Sequence, residues 1–388
     1  MSINNKISIF DTTLRDGEQA PGSALSLEKK IEFARQLSRL NVDVIEVGFP
    51  VASTTDFIAV QEISSEIKDS TICAFARSVE KDILSASKAL GASTNSRIQI
   101  VTPISDRHLA TRLKMGRKDG LQLIRDSIKL ASSLAHEVAF IGEDSSRADP
   151  EYRLQCFEVA AESGAKFLTY ADTVGYSTPE DIHTDIHSLV KILKSEEVSI
   201  GIHCHNDLGL AVANSLSAIL AGANEVQCTI NGVGERAGNA ALEEIVMALY
   251  VREDHYKVKT DIDTRLLTIT SGLLSQYTGT EIPNDKAVVG QNAFAHCSGM
   301  HQHGMIMHPK NYEIMMPSTV GADSREFIIG RHSGKHGVSH VLSEMGYKVK
   351  DKVIIKVLKE IKNSLGEAEY IDKEHLAKIY ERLLVIEV

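Results

Sequence analysis

The chain has 388 residues, 43% of them apolar and 24% charged, the balance of a soluble globular protein with an ample core. Its formal net charge of −10 gives no basic footprint for nucleic acid and no pull towards anionic membranes, so an anionic ligand must be met by a local cluster of positive charge. No apolar run approaches the roughly 18–20 residues of a membrane span, and the N-terminal MSINNKISIFDTT has no signal-peptide segment.

Strand-like and helix-like patterns alternate along the chain. Ile7–Phe10 is a short β-type run, followed by a polar loop and a helical pattern over Leu27–Leu40. Val42–Gly48 leads to a helix at Asp56–Ile67, Ile72–Phe75 to Val79–Leu90, and Ile98–Val101 to Asp119–Leu134. Glu137–Ile141 leads to Glu151–Ser163, Phe167–Tyr170 to Pro179–Leu193, Ser199–Cys204 to Leu208–Ala221, and Glu225–Ile230 to Ala240–Val251. Such alternation implies parallel strands with crossover helices. Repeated eight times, it predicts an α/β fold, a closed (β/α)8 TIM barrel over residues 1–275. A doubly wound open sheet is the other fold of this pattern, but no Gly-x-Gly-x-x-Gly follows the first strand. Residues 276–388 break the rhythm and read as a helical C-terminal accessory region, with a charged helical tail over Lys350–Leu384. The five cysteines (Cys73, Cys156, Cys204, Cys228, Cys297) lack Cys-x-x-Cys spacing, as expected of reduced, mostly buried thiols in a cytoplasmic protein.

In a (β/α)8 barrel the chemistry sits in the loops that follow the strands, and the polar residues of this sequence gather there. The first such loop is Asp11–Gln19, the fifth Gly142-Glu143-Asp144, the sixth Ala171-Asp172-Thr173 and the eighth Asn231–Asn239. The seventh strand ends in His203-Cys204-His205; alternation puts both imidazoles on one face and Cys204 on the other. A His-x-His pair is weak evidence for a metal when taken alone. Together with Asp16 and an amide oxygen it makes a mixed N/O set that suits Mg, Mn, Zn or Co, with open positions for a chelating substrate. Arg15, beside Asp16, would place a fixed positive charge where an alkoxide or enolate forms.

These residues resemble the 2-isopropylmalate synthase/homocitrate synthase family of acyl-CoA-dependent Claisen condensing enzymes. The resemblance runs from about residue 6 to about residue 345. It is carried by Asp11–Gly22 (DTTLRDGEQAPG), Glu46–Pro50 (EVGFP), His203–Ala211 (HCHNDLGLA), Asn231–Asn239 (NGVGERAGN) and Ser298–Gly304 (SGMHQHG). It implies a divalent metal on Asp16, His203 and His205, with Asn239 as a further, weaker ligand. It implies that Arg15 and Thr173 hold a 2-oxo acid, that Glu46 orients Arg15 or the ligands, and that His108 lies on the substrate side. Glu143 and His301 would serve proton transfer, and His301 in this family usually reaches in from a partner subunit, which implies a homodimer. Some members set a Tyr beside that His; its counterpart is not evident in the sequence. Acetyl-CoA is the implied co-substrate.

The side-chain pocket decides which 2-oxo acid is taken. Many homocitrate synthases place an Arg on strand five where Ala139 stands here, and an unpaired distal carboxylate would be costly. This favours 2-oxoisovalerate over 2-oxoglutarate. Ser105-Asp106-Arg107-His108 also resembles isopropylmalate synthases, whereas Gly142–Pro150 and Gly330–Lys335 resemble homocitrate synthases. Gln99 stands where many isopropylmalate synthases carry a His. Citramalate synthesis is a further alternative, and an acyl-CoA carbon–carbon lyase is one of a different class, although Gly232–Asn239 lacks the Cys of those relatives. With Val388 the last residue, no leucine-binding regulatory domain is expected, and so no inhibition by leucine through one.

Overall fold

Eight apolar runs, each too short to bury its edges alone, pair in sequence order into a closed parallel barrel in the computed structural model, which describes residues 5–193, 197–364 and 370–385. The strands are β1 (Ser8–Asp11), β2 (Val44–Gly48), β3 (Thr71–Arg77), β4 (Ser96–Pro103), β5 (Glu137–Glu143), β6 (Phe167–Asp172), β7 (Ser199–Cys204) and β8 (Glu225–Cys228). β1 closes on β8, with Ser8 opposite Glu225 and Asp11 opposite Cys228. The fold is therefore the expected (β/α)8 barrel. The crossover helices are α1 (Leu27–Arg39), α2 (Thr54–Glu66), α3 (Glu80–Leu90), α4 (Arg117–Ser132), α5 (Pro150–Glu162), α6 (Pro179–Ile192), α7 (Ala211–Leu220) and α8 (Leu242–Val251).

Local chemistry fixes several helix starts. The Ser26 and Ser53 hydroxyls accept the third helical N–H of α1 and α2. Asp149 does the same for α5 ahead of Pro150, and Thr178 and Asp181 form a reciprocal capping box ahead of Pro179 on α6. α7 starts later than its apolar pattern suggests, because Asn206 turns the chain: its carbonyl accepts Gly209 N–H and its side chain accepts Ala211 N–H. β8 ends earlier than expected, where Asn231 takes a left-handed conformation (φ 60°).

The described residues cluster into two compact units divided between Ile282 and Pro283. A ninth helix, α9 (Leu267–Thr278), belongs to the first unit; through Gln36 Nε2 on Thr270 Oγ1 (2.9 Å) it is tied to α1, which carries the unit past residue 275. The second unit contains α10 (Gly299–Met307), α11 (Lys335–Glu344), α12 (Asp351–Ser364) and α13 (Lys373–Val385). Val338, Leu342, Val357, Ile361, Leu376 and Tyr380 form its own apolar core. The Tyr380 hydroxyl donates to Lys348 O (3.0 Å) and accepts Lys350 N–H (3.1 Å), so even this buried ring end is satisfied. Among the described residues no helix is long and apolar enough to cross a membrane.

Candidate functional site

The first βα loop is wound tightly on one carbonyl: Thr12 O accepts the N–H groups of Arg15, Asp16 and Gly17 at 2.8–3.1 Å. Asp11 is fully buried beneath it and accepts from the Thr13 N–H and hydroxyl. Burial pushes the Asp11 carboxyl up to about 7 against those two hydrogen bonds, with Glu243 and Glu46 adding to the rise. Leu14 is driven into the core, which turns its neighbours Arg15 and Asp16 into the barrel mouth.

There Asp16 meets the end of β7. Asp16 Oδ2 lies 3.3 Å from His203 Nε2 and 3.7 Å from His205 Nε2, and the two nitrogens are 3.2 Å apart. Ligands at the ~2.0–2.1 Å typical of Zn or Mg stand about 3.0 Å apart at a right angle and about 3.4 Å apart at a tetrahedral one, so this triangle fits a single ion. All three residues are buried, and they are the one such cluster found among the described residues. Burial pushes the Asp16 carboxyl up, but Arg15 and the two imidazoles outweigh it and hold it far below the usual carboxylate range. Burial, then the His203 ring, holds His205 down at about 4, which leaves it a lone pair at neutral pH. Asn239 sits beside the triad through a β-bridge to His205. Its amide Nδ2 donates to Val233 O, while its Oδ1 and Asp16 Oδ2 are buried oxygens that accept no hydrogen bond among the described residues. Two bare oxygens beside two imidazoles are the donor set of a hard or borderline divalent cation. Gly238 (φ 90°) makes this approach possible, because a Cβ there would overlap the Gly232 carbonyl.

Arg15 is held from behind. Its Nε donates to Glu46 Oε2 (2.6 Å), its guanidinium lies 4.7 Å over the Phe75 ring, and its Nη1 is 3.6 Å from Asp16 Oδ2. Fully buried Glu46 also accepts from Thr12 Oγ1 (2.6 Å) and from Gln99 Nε2 (2.7 Å). Opposite, Glu143 contacts Arg112, and its Oε1 is 3.6 Å from His108 Nδ1. Thr173 Oγ1 accepts the N–H of Asp144 (2.8 Å), tying the fifth loop to the sixth. Arg15, Asp16, Glu143, Thr173, His203 and His205 line one cavity of about 510 Å³, a size usual for small-molecule sites. Its apolar wall is a cluster of Val101, Ile141 and Ala171 backed by Phe75. Cys204 faces away, fully buried, with burial pushing its thiol up.

His301 belongs to the second unit, exposed on α10, with its ring 4.3 Å from that of Tyr312. Tyr312 is thus a tyrosine neighbour of His301 that the sequence did not signal, since eleven positions of loop and helix separate the pair. His296 pairs with Glu313, His303 stacks on His336, and His308 accepts Lys310 N–H. Phe75 and Arg112 also lacked a signal as site residues, and Gln99 had one only in standing where many isopropylmalate synthases carry a His. Their parity on β3 and β4, inward by alternation from Val101, would have placed Phe75 and Gln99.

A family model described as HMGL-like matches residues 6–273, and one described as homocitrate synthase post-HMGL domain-like matches residues 288–369. The 2-isopropylmalate synthase of Pyrococcus abyssi is 43% identical over 380 residues, covering 98% of this chain and 78% of that protein. That of Aquifex aeolicus is 42% identical over 388 residues, covering 99% and 75%. The chain belongs to the 2-isopropylmalate synthase family. Among solved structures, a hydroxymethylglutaryl-CoA lyase from Pseudomonas aeruginosa aligns with a TM-score of 0.61 and 19% identity, over 72% of this chain and 96% of its own. At that identity the likeness is one of fold. The homocitrate synthase description attaches to the second unit, whereas the two synthases aligned across both units carry the isopropylmalate synthase name.

Proposed function

We propose that the chain is an acyltransferase that condenses acetyl-CoA with 2-oxoisovalerate to give 2-isopropylmalate, the first committed carbon–carbon bond on the way to leucine. The observation that carries this reading is a single cavity joining the Asp16–His203–His205 triangle, the Arg15 guanidinium and an apolar wall of Val101, Ile141, Ala171 and Phe75. A divalent ion on that triangle, with Asn239 near it, would polarise the 2-oxo group and anchor the acid. Arg15 provides the charge that meets the oxygen as it turns from ketone to alkoxide. Thr173 and His108 flank the acid. Glu143 and His301, the latter supported by Tyr312 and supplied by a partner subunit, take the proton from the acetyl methyl. The methyl carbon then bonds to the ketone carbon, the new alkoxide is protonated, and water cleaves the thioester to release CoASH and a proton.

The wall supports the branched acid. Each guanidinium lining the cavity already has a carboxylate: Arg15 has Glu46, Arg77 has Asp82, Arg112 has Glu143 and Arg236 has Asp207. A second carboxylate, as in 2-oxoglutarate, would be buried against Val101 and Ile141 without a cation of its own. The homodimer is supported by the exposed Met300, Met307, Ile314 and Met316 around His301. A cytoplasmic location is supported by five free cysteines, four of them buried. Thiol release from acetyl-CoA, measured with a panel of 2-oxo acids and an added divalent metal, tests the reading. Turnover with 2-oxoisovalerate at least about tenfold above 2-oxoglutarate is expected; no CoASH with any acid overturns it.

A further inference from the structure

One layer of the barrel interior is built from the even strands: Glu46 on β2, Gln99 on β4, Thr169 on β6 and Gln227 on β8, all fully buried. Such layers are usually filled by branched apolar side chains, and a polar one is costly unless its groups are satisfied. Here the hydrogen bonds run in one direction. A carboxylate can only accept, so Gln99 turns its amide nitrogen to Glu46 Oε1 (2.7 Å). That leaves Gln99 Oε1 facing β8, where Gln227 Nε2 donates to it at 2.6 Å and shares itself with Thr169 Oγ1 at 3.2 Å. The chain ends in Gln227 Oε1, a buried oxygen with no donor among the described residues, a loss of stability that an apolar layer would not carry.

We propose, on the basis of the condensation argued above, that Gln99 and Gln227 are positioning residues for Arg15, acting through Glu46. The Gln99 amide gives its positive end to Glu46 Oε1, while Arg15 takes Oε2, and the Gln227 amide holds Gln99 in that orientation through its Oε1. They hold the carboxylate in place without supplying a competing cation, so its charge stays directed at the Arg15 Nε, 2.6 Å away. The orphaned oxygen at the far end is the cost of fixing that direction.

The test is a set of near-isosteric substitutions, Gln99→Met and Gln227→Met, alone, together and with Glu46→Gln. Steady-state kinetics with acetyl-CoA and 2-oxoisovalerate are read beside bound metal per chain. Gln99→Met is expected to lower kcat about tenfold or more, with both KM values within about twofold, because Arg15 stays in the cavity to hold the acid and what is lost is its alignment on the forming alkoxide. Gln227→Met acts through Gln99, so the double variant loses no more than Gln99→Met alone, and neither substitution adds to Glu46→Gln. A Gln99→Met kcat within twofold of the parent, or losses that simply multiply, overturns the proposal. Should Gln99→Met not fold, Gln227→Met compared in the parent and Glu46→Gln backgrounds decides in the same way: equal losses overturn it. Should the parent release no CoASH with any acid, the reaction reading falls while the relay is still decided by crystallography. An Arg15 guanidinium unmoved on Glu46 in Gln99→Met refutes it, and a displaced one supports it.

Discussion

Asp16 illustrates how much of the site depends on single atoms. Its Oδ2 is the only oxygen in the triangle and receives no hydrogen bond among the described residues. Asp16→Ala is therefore expected to abolish stoichiometric Mn or Zn binding in calorimetric titration and to cost more activity than the roughly 10–100-fold that loss of an outer supporting partner costs. Asp11, one turn earlier, makes a different prediction. Its carboxyl is held up at about 7 by burial, against about 3.9 in an unfolded chain. The folded state thus keeps a proton that the unfolded state releases, so this stabilisation is complete below about pH 4 and is lost as pH rises through 7. Asp11→Asn removes the dependence. Relative to the parent, chemical denaturation should find the variant more favourable at pH 8.5 than at pH 5 by a few kcal/mol at ~1.4 kcal/mol per unit. Any fixed cost of disturbing the Thr13 hydroxyl cancels in that comparison.

At the scale of the element, β5 shows what alternation accomplishes. Ile141 and Glu143 face the cavity, while Phe140 points outward and meets Phe157 of α5 edge-on at 5.4 Å. Phe140→Ala should cost ~3–5 kcal/mol of stability, read in thermal unfolding, with the 2-oxo acid preference unchanged. Ala139 lies deeper on the inward side and does not line the cavity. The apolar choice argued from it is supported by its neighbours Val101, Ile141 and Ala171 instead. The same period-two logic made the barrel, its eight strands and the His203/His205 pairing legible from residues alone. Legibility stopped where backbone leaves regular structure. The turn Asp106–His108 and the looser Leu109–Leu113 after β4 carry Arg112 onto Glu143, and no periodicity announces such a segment. It stopped also at Gln99, whose departure from the His of many relatives was visible but whose bond to Glu46 was not, and at Tyr312, whose ring reaches His301 across irregular chain.

At the scale of the molecule, two separate cores divide the work of stability. Leu376→Ala, in the second unit, should destabilise that unit by ~2–5 kcal/mol while calorimetric titration of metal into the barrel is unchanged. Equal loss of both would show that the cores melt as one. The barrel's own closure has a temporal meaning. Asp16 comes from the chain's beginning and His203 and His205 from its seventh strand, so no partial product of translation owns an ion-holding pocket. A nascent chain must run past residue 205, and the first strand must wait for the last before it has a neighbour on both sides. An ion held by this triangle would thus be acquired late in the life of each polypeptide, and a ribosome stalled before strand seven would display a chain that lacks two of its three holders.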